Sequence, residues 1–481
     1  MRRDHLHCRP RPPPCISCWF RFPQPPGALI RNSHVILLPI TSLPQNHGMV
    51  ARCAGQSDES RRRGRLPWPL LIFALALSTR LLIYLHSPPR FDFAETENIA
   101  RTLAETGRFA DPYKVPTGPT AHTAPLYPLL LAGIFTLFGY GSVAAWAQTL
   151  VNVSLASVQY ALLPAVSAAA GYGRRPGILA GVAGAALPIR ALREGQWEAS
   201  LAGLLCVLAI LALLEWWKHG SLARSFGTGL LCAAAVLSSA ALLTTLLVVI
   251  AVLAFRGVVR LRYTAVVIAG LVAGLLPWTV RNYCALGGFV PVRSNFWLEF
   301  SLSNRDGAYP DSRRNEIVGY PNNDFHRRHP YESAVEAAKV KELGEVGYAA
   351  VRKREAATWV RSHWHQFAVL TAERVALFWF PDYGESQPWK AWLCDPITVL
   401  GFIGLLLSAG TARFVFWAIW LTHPLVYYVI QSDTRYRYPM EWTVWLLAAV
   451  AVTTLPAWVK ARLAARGGTL ATRPSDSTHQ S

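Results

Sequence analysis

Two carboxylates, Asp92 and Glu95, open a short polar stretch between two apolar runs, and a loop histidine, His122, lies near its end. Arginines in distant stretches complete the set of residues able to do chemistry. One stretch is Pro277-Trp278-Thr279-Val280-Arg281-Asn282-Tyr283, followed by Arg293-Ser294-Asn295 and Ser303-Asn304-Arg305; another is Asp433-Thr434-Arg435-Tyr436-Arg437-Tyr438-Pro439. A carboxylate can take the proton of an attacking hydroxyl or amine. Guanidinium groups bind phosphate and stabilise one that departs with growing negative charge. Acids in one place and arginines in others are the parts needed to move a sugar off a lipid phosphate, and a phosphate leaving group needs no strong general acid. Tyr436 and Tyr438 interleave Arg435 and Arg437 and supply further hydrogen bonds to an anion.

Each of these residues also has an ordinary reading. Asp92 can cap a helix that Glu95 answers as the second member of a capping box; a carboxylate held in that way is still available to a substrate. Glu95 precedes Ile99 and Leu103 by four and eight residues, which puts it on the apolar stripe of the helix, whereas Glu97, four before Arg101, is expected to face solvent in an ion pair. An arginine beside a span can reach headgroups, as Arg190 and Arg193 would, and Arg80 sits inside the first span. A loop histidine such as His122 is commonly just solvated.

The elements that must position these groups are apolar helices. The chain has 481 residues, 52% hydrophobic and only 16% charged, well under the charged share of soluble domains. Several apolar runs approach the length needed to cross about 30 Å of hydrocarbon. The fold class expected is an all-α polytopic membrane protein. The net charge of +19 is a topology signal here and not a nucleic-acid signal, because the cations fall mostly in short loops between apolar runs. Arg61-Arg62-Arg63-Gly64-Arg65 precedes the first span and should stay cytoplasmic, as should Lys460, Arg462 and Arg466. Both termini are then cytoplasmic, and the carboxylate stretch is extracytoplasmic.

In chain order, residues 1–65 read as a disordered, basic, Pro-rich segment; Met49 is an alternative start, so 1–48 need not be translated. Residues 66–280 form an N-terminal transmembrane module with an outer loop at 87–142. Within it Leu126–Phe138 is too short to span and is read as interfacial. Residues 281–392 make an extracytoplasmic or interfacial segment that caps the bundle, helical over Tyr331–Trp364. Residues 393–460 are C-terminal transmembrane helices, and 461–481 a disordered cytoplasmic tail. The count is ten spans, or eleven if His365–Phe380 crosses. Of eight cysteines, Cys206 and Cys232 read as packing residues, and nothing pairs Cys284 with Cys394.

The ordered pieces Glu95–Leu103 with Gly118-Pro119-Thr120-Ala121 and Pro125-Leu126-Tyr127-Pro128, Phe138-Gly139, Pro277-Trp278 with Arg281-Asn282-Tyr283, Arg293-Ser294-Asn295, His329-Pro330-Tyr331 with Gly344-Glu345, and Arg435-Tyr436-Arg437-Tyr438-Pro439 resemble the GT-C glycosyltransferases. The likeness is to the dolichyl-phosphate-mannose protein mannosyltransferase and aminoarabinose transferase superfamily, and within it to the bacterial RgtA-like family 39 group. It runs from about Arg80 to Leu447. It implies a GT-C-like bundle with an outer-loop helical layer, an undecaprenyl-phosphate-linked sugar as donor, an inverting single displacement and an acid of the first outer loop as base. Many relatives carry an adjacent Asp-Glu pair in that loop; here Phe93-Ala94 separates the two acids. Glu95 is favoured as base with Asp92 second. Arg435, Arg437, Arg281 and Tyr436 are candidates for the donor phosphate, and Glu198, His122, Asn282, Arg293, Asn295 and Asn304 for positioning donor or acceptor. No organic cofactor is implied; the outer-loop acids are of the type that hold a divalent metal ion, but no ligand set is visible and no metal residue is assigned.

The expected partners are the lipid-linked sugar, an envelope acceptor (lipid, glycan or protein) and membrane lipids, in the bacterial inner membrane. The chain shows no Gly-rich phosphate loop and no cytoplasmic domain to hold a nucleotide sugar. A rival reading is a lipid-linked glycan flippase, which would use the same arginines without a base; internal repeats of spans, frequent in transporters, are not visible. A polymerase or ligase using a long lipid-linked donor is a third.

Overall fold

The computed structural model describes residues 67–89, 94–188, 198–256, 261–320, 323–384 and 387–470. Asp92, Arg190, Arg193, Glu194 and the segment 1–65 lie outside the described residues, as does the tail beyond 470. Among the described residues the chain is helical, with no strand and only two isolated bridges, Ala110 with Pro119 and Asp311 with Ser432.

The first helix, α1 (Trp68–His86), starts behind Pro67. Its Arg80 is fully buried, lies 4.7 Å from the ring centre of Tyr160, and points a guanidinium nitrogen at Gly184 O, 3.4 Å away. Gly184 belongs to the last turn of α6 (Arg174–Ala186), where carbonyls lack helical partners. This explains how a cation is held inside the first apolar span.

The outer-loop helix α2 (Glu95–Thr106) ends at Gly107, whose φ of 70° lets its N–H bond Leu103 O. It starts two positions later than a capping box requires: Glu95 is its first helical residue, and the cap position is Ala94, with no side-chain hydrogen bond. Helix α3 (Leu126–Phe138) has the bounds expected of the short apolar run. Its stripe Tyr127, Leu131 and Phe135 packs with Ala100 of α2 and with Ala144 of α4 (Ser142–Ala161). This small core fixes α2 over the bundle. Glu97 goes under α2 with it, 8% exposed, so it is not the solvent-facing half of an Arg101 pair.

The main bundle continues with α5 (Leu163–Ala169), offset from α4 at Leu162 before Pro164, then α7 (Ala199–Lys218), α8 (Leu222–Ser238), α9 (Leu242–Arg256) and α10 (Leu261–Leu286). Helices α8 and α10 approach until a Cβ on Gly229 would stand 2.1 Å from Val267 O, and one on Gly270 2.3 Å from Phe226 O. Small residues permit such contact where apolar burial cannot drive association. Five helical stretches are long and apolar enough to cross a membrane: Trp68–His86, Ser142–Ala169, Ala199–Lys218, Leu261–Leu286 and Trp389–Leu407. Leu126–Phe138, Leu222–Ser238 and Leu242–Arg256 are apolar but shorter. The protein is an integral membrane protein with an all-α bundle.

Between α10 and the last spans lie α11 (Phe296–Ser303), the short α12 (Ser312–Ile317) and α13 (Asp324–Arg328), and then α14 (Ala334–Ser362) and α15 (Trp364–Trp379). Helix α14 is broken at Gly344, where φ 70° and ψ 160° form a backbone state that only glycine adopts at low cost. The run Phe414–Ile430 resolves into two helices, α17 (Gly410–Thr422) and α18 (Leu425–Val429), broken at His423-Pro424, after α16 (Pro388–Leu407). A 3₁₀ turn, Thr434–Arg437, leads into α19 (Tyr438–Leu470). Cys206, Cys232, Cys284 and Cys394 are all free thiols.

Candidate active site

A cavity of about 420 Å³ opens where the ends of α2, α3, α7, α8, α11 and α18 meet the 3₁₀ turn. That size suits a small organic ligand. Its wall includes three carboxylates, Glu95, Glu198 and Glu299, and two guanidinium groups, Arg293 and Arg435, with His122, Asn295, Tyr427 and Tyr436. Toward α8, α9 and α18 the lining turns small or apolar: Ala240, Ala241, Leu425, Val426 and Ile430.

Glu95 stands on the first turn of α2 between two imidazoles. His122 Nε2 is 3.4 Å from Glu95 Oε1, and His329 Nε2 is 3.5 Å from the same oxygen. Each histidine is steadied from its other nitrogen: His122 Nδ1 lies 3.3 Å from Tyr113 OH, and His329 Nδ1 accepts the Tyr331 N–H at 3.1 Å. Both contacts fall on Oε1, and Glu95 keeps 27% of its side-chain surface accessible, so Oε2 is the oxygen left for a ligand. Burial alone would raise the Glu95 pKa, but His122, His329 and, farther off, Arg435 together hold it down to about 2. Burial works against a charged His122, yet Glu95 and then Glu345 push its pKa up in spite of Arg293. Both shifts favour the charged forms, a carboxylate facing an imidazolium.

Glu97, one turn face away, behaves oppositely. Burial raises its pKa to about 8, and the nearby Glu198 and Glu95 add to that. Two acids on one helix are thus driven in opposite directions: cationic neighbours lower Glu95, whereas burial and nearby carboxylates raise Glu97.

Arg435 is set by its own turn. The Asp433 carboxylate caps it, accepting the Arg435 N–H at 2.9 Å, lies 3.6 Å from Arg435 Nε, and accepts from Ser312 Oγ at 2.9 Å. The guanidinium sits 5.5 Å from the Tyr436 ring centre, and that ring stacks on Tyr427 at 4.4 Å. Burial opposes its charge, but Asp433, Tyr436 and Glu198 keep it firmly protonated. Arg293 lines the same cavity and donates from Nε to His122 O at 3.3 Å. Glu198 ends at the mouth of α7, and its Oε2 is buried with no hydrogen-bond partner among the described residues.

The cavity thus gathers Glu95, His122, Glu198, Arg293, Asn295, Arg435 and Tyr436. It does not gather Arg281, Asn282, Asn304 or Arg437. Arg281 donates to Thr120 O and Phe109 O, and Asn282 to Val290 O at 3.0 Å, so both satisfy carbonyls of the two loops packed on the end of α10. Asn304 donates to Val429 O at 2.8 Å and accepts from Arg374 Nη1 at 2.9 Å. Arg437 pairs with Glu441 at 3.0 Å and donates to Trp379 O at 2.6 Å and Thr398 Oγ1 at 3.1 Å. Two residues apart on a turn of three residues, Arg435 and Arg437 leave opposite sides of the chain. His329, Glu299 and Tyr427 carry no sequence signal of their role; His329 stood in a recognisable His-Pro-Tyr run, but nothing local tied it to Glu95. Among the described residues no group of three or more His, Cys, Asp or Glu side chains is arranged to hold a metal ion.

The all-α bundle with its outer-loop layer is GT-C-like, as its likeness in fold to a solved oligosaccharyltransferase shows. The archaeal oligosaccharyltransferase AglB from Archaeoglobus fulgidus, solved with an inhibitory peptide and a dolichol-phosphate, matches with a TM-score of 0.50 at 15% identity, over 86% of this chain and 52% of that one. The Archaeoglobus fulgidus oligosaccharyltransferase tethered to an acceptor peptide by a disulfide bond gives 0.49 at 14% identity, covering 80% of this chain and 49% of that one. Its apo form gives 0.49 at 14%, covering 84% and 52%. The chain spans about half the length of these structures, and at such identity the likeness is one of fold. No family model matches the chain, and no curated protein matches it in sequence.

Proposed function

We propose that this protein is an inverting glycosyltransferase of the family 39, RgtA-like kind, moving a single hexosyl or pentosyl group from a polyprenyl phosphate, undecaprenyl phosphate in a bacterial inner membrane, to an envelope acceptor on the extracytoplasmic side. The observation that carries the reading is the shared cavity: Glu95, from the first outer loop, and Arg435, from the turn before the last helix, stand in one wall. The solved neighbour that holds a dolichol-phosphate supports the lipid-phosphate class by analogy of fold.

In this mechanism the donor phosphate lies against Arg435 and Arg293, with its polyprenyl tail leaving over the apolar lining between α8, α9 and α18. The acceptor hydroxyl approaches the sugar carbon from the side of Glu95. The new C–O bond forms as the bond to the phosphate oxygen breaks. The acceptor proton goes to Glu95 Oε2, and the electron pair leaves with the phosphate, whose charge the guanidinium groups stabilise. A carboxylate with a pKa of about 2 is a weak base. A bound donor eases this in part, because its phosphate offsets Arg435, the weakest of the groups that lower Glu95, while His122 and His329 still hold the pKa down. Base strength is then coupled to donor occupancy. Glu198 and Glu299 hold acceptor or sugar hydroxyls.

The test uses the full chain in nanodiscs with a labelled polyprenyl-phosphate sugar and an envelope extract as acceptor. Covalent label in the acceptor, with release of polyprenyl phosphate, is the expected result. Translocation of intact donor without bond cleavage would establish the flippase instead.

A further inference from the structure

Glu345 lies outside the cavity wall yet touches the backbone or side chain next to several of its groups. It is the first residue after the Gly344 break in α14, so its carboxylate sits at the start of a new helical segment, where the helix dipole favours an anion. That carboxylate accepts from three donors in two loops: the Thr120 hydroxyl, the Ala121 N–H at 2.8 Å and the Ser294 hydroxyl. Thr120 Oγ1 in turn accepts the His122 N–H at 2.9 Å, and the Ser294 N–H donates to Ala121 O at 2.9 Å. His122 and the neighbours of Ser294, Arg293 and Asn295, are cavity groups.

We infer that Glu345 is the positioning residue of this site: a carboxylate of the cap staples the His122 loop to the Arg293–Asn295 loop, and so sets both the His122 contact with Glu95 and the place of Arg293 in the anion half of the cavity. The alternative, a contact that merely stabilises the cap, would leave the state of His122 untouched. Five charged or titratable groups bear on His122: Glu95 from α2, Tyr113 from its own loop, Arg293 from the loop after α10, His329 across the shared Glu95 oxygen, and Glu345 from α14. Of these, Glu345 stands outside the cavity and bonds both the His122 loop, at Thr120 and Ala121, and the Ser294 hydroxyl of the Arg293 loop.

The kinetic part of this inference rests on the glycosyltransferase reading; the structural part does not. The experiment follows the His122 ring carbon by NMR in the histidine-labelled full chain in nanodiscs, assigned by its loss in His122→Gln. In Glu345→Gln the His122 titration midpoint should fall by at least roughly half a pH unit, the scale of losing one near carboxylate. In Thr120→Val, which keeps the charge and removes the bridge to the His122 N–H, the resonance should move while the midpoint moves less. Sugar transfer should fall about 10- to 100-fold in both, as expected when a catalytic group is misplaced by about 1 Å. An unmoved His122 resonance and midpoint in Glu345→Gln overturns the inference. If that variant fails to insert, an unmoved resonance in Thr120→Val does so. Moved resonances in a protein whose wild type transfers no sugar would uphold the clamp and overturn the reaction assigned to it.

Discussion

Replacing Glu95 by Gln is the sharpest perturbation the cavity offers. The amide has the size of the carboxylate, and its oxygen can still accept from one of the two imidazoles that now meet Oε1 at 3.4 and 3.5 Å. It cannot accept the acceptor's proton. General-base catalysis contributes about 10²- to 10⁴-fold, so turnover should fall by at least about 100-fold, equivalent to roughly 3 kcal/mol in the barrier. The ground state changes too. Holding Glu95 at about 2 in place of 4.5 favours its ionised form by on the order of 3 kcal/mol, and this coupling to the histidines disappears in the variant. His122 should then titrate nearer an ordinary imidazole. Donor affinity should stay close to wild type, because Arg435 and Arg293 are intact and part of the cation field is no longer occupied by a carboxylate. The assay is release of polyprenyl phosphate from a labelled donor, beside equilibrium binding of the same donor and a check of folding by size-exclusion and thermal unfolding. Turnover within about threefold of wild type in a well-folded Glu95→Gln protein would refute the base assignment, since the general-base range begins near 100-fold.

Arg435→Gln should weaken donor binding about 10- to 100-fold, the cost of one charge-assisted hydrogen bond, and a smaller loss measured with polyprenyl phosphate would move the anion site elsewhere. The Glu95–His122 pair gives stability a window in pH. The lowered Glu95 pKa contributes above the unfolded value of 4.5 and is lost as pH falls through about 2, while the raised His122 pKa contributes below about 6.5 and is lost as pH climbs past its folded value. Thermal stability should therefore be greatest between roughly pH 4.5 and 6.5 for this contribution, and His122→Gln should flatten that profile; an unchanged profile counts against the pair. Arg437→Ala should destabilise the fold by about 3–5 kcal/mol by breaking its buried ion pair with Glu441, whereas Arg437→Met with Glu441→Leu should recover most of it, read as unfolding temperature. Gly344→Ala should cost about 1–3 kcal/mol through its positive φ, although a Cβ there would touch nothing within 4 Å.

The helices were largely legible because their signals are local. The run from Leu126 to Phe138 is bounded by Pro125 and by Gly139, whose φ is 71°, and the sequence alone marks both ends. Two breaks inside apolar runs went unread although a proline marks each: Leu162 lies just before Pro164, and His423-Pro424 divides what reads as one span; His423 is fully buried there, with Nε2 3.2 Å from Tyr436 O. Glu97 was misread for another reason. Spacing to Arg101 is a property of one isolated helix, while burial of Glu97 follows from how α2 packs on α3 and its neighbours, which come from elsewhere in the chain.

The site was legible in its chemistry and only partly in its geometry. Acid and guanidinium types stand out in an apolar chain because each must answer for its desolvation, and that is enough to nominate Glu95, Glu198 and Arg435. It is not enough to separate a side chain that faces a ligand from one that satisfies the protein. Arg281, Asn282, Asn304 and Arg437 all meet backbone carbonyls or carboxylates of neighbouring elements. Their partners, Thr120, Val290, Val429 and Glu441, are no more conspicuous in sequence than any other residue. The same limit hid His329. Its pairing with Glu95 requires the cap to fold back over the first outer loop, and the Glu345 contact with Thr120 and Ser294 records that return. A buried cation or acid in such a chain is thus a reliable sign that something must be balanced, and whether the balancing group is a substrate or a carbonyl is decided by elements that the local sequence does not contain.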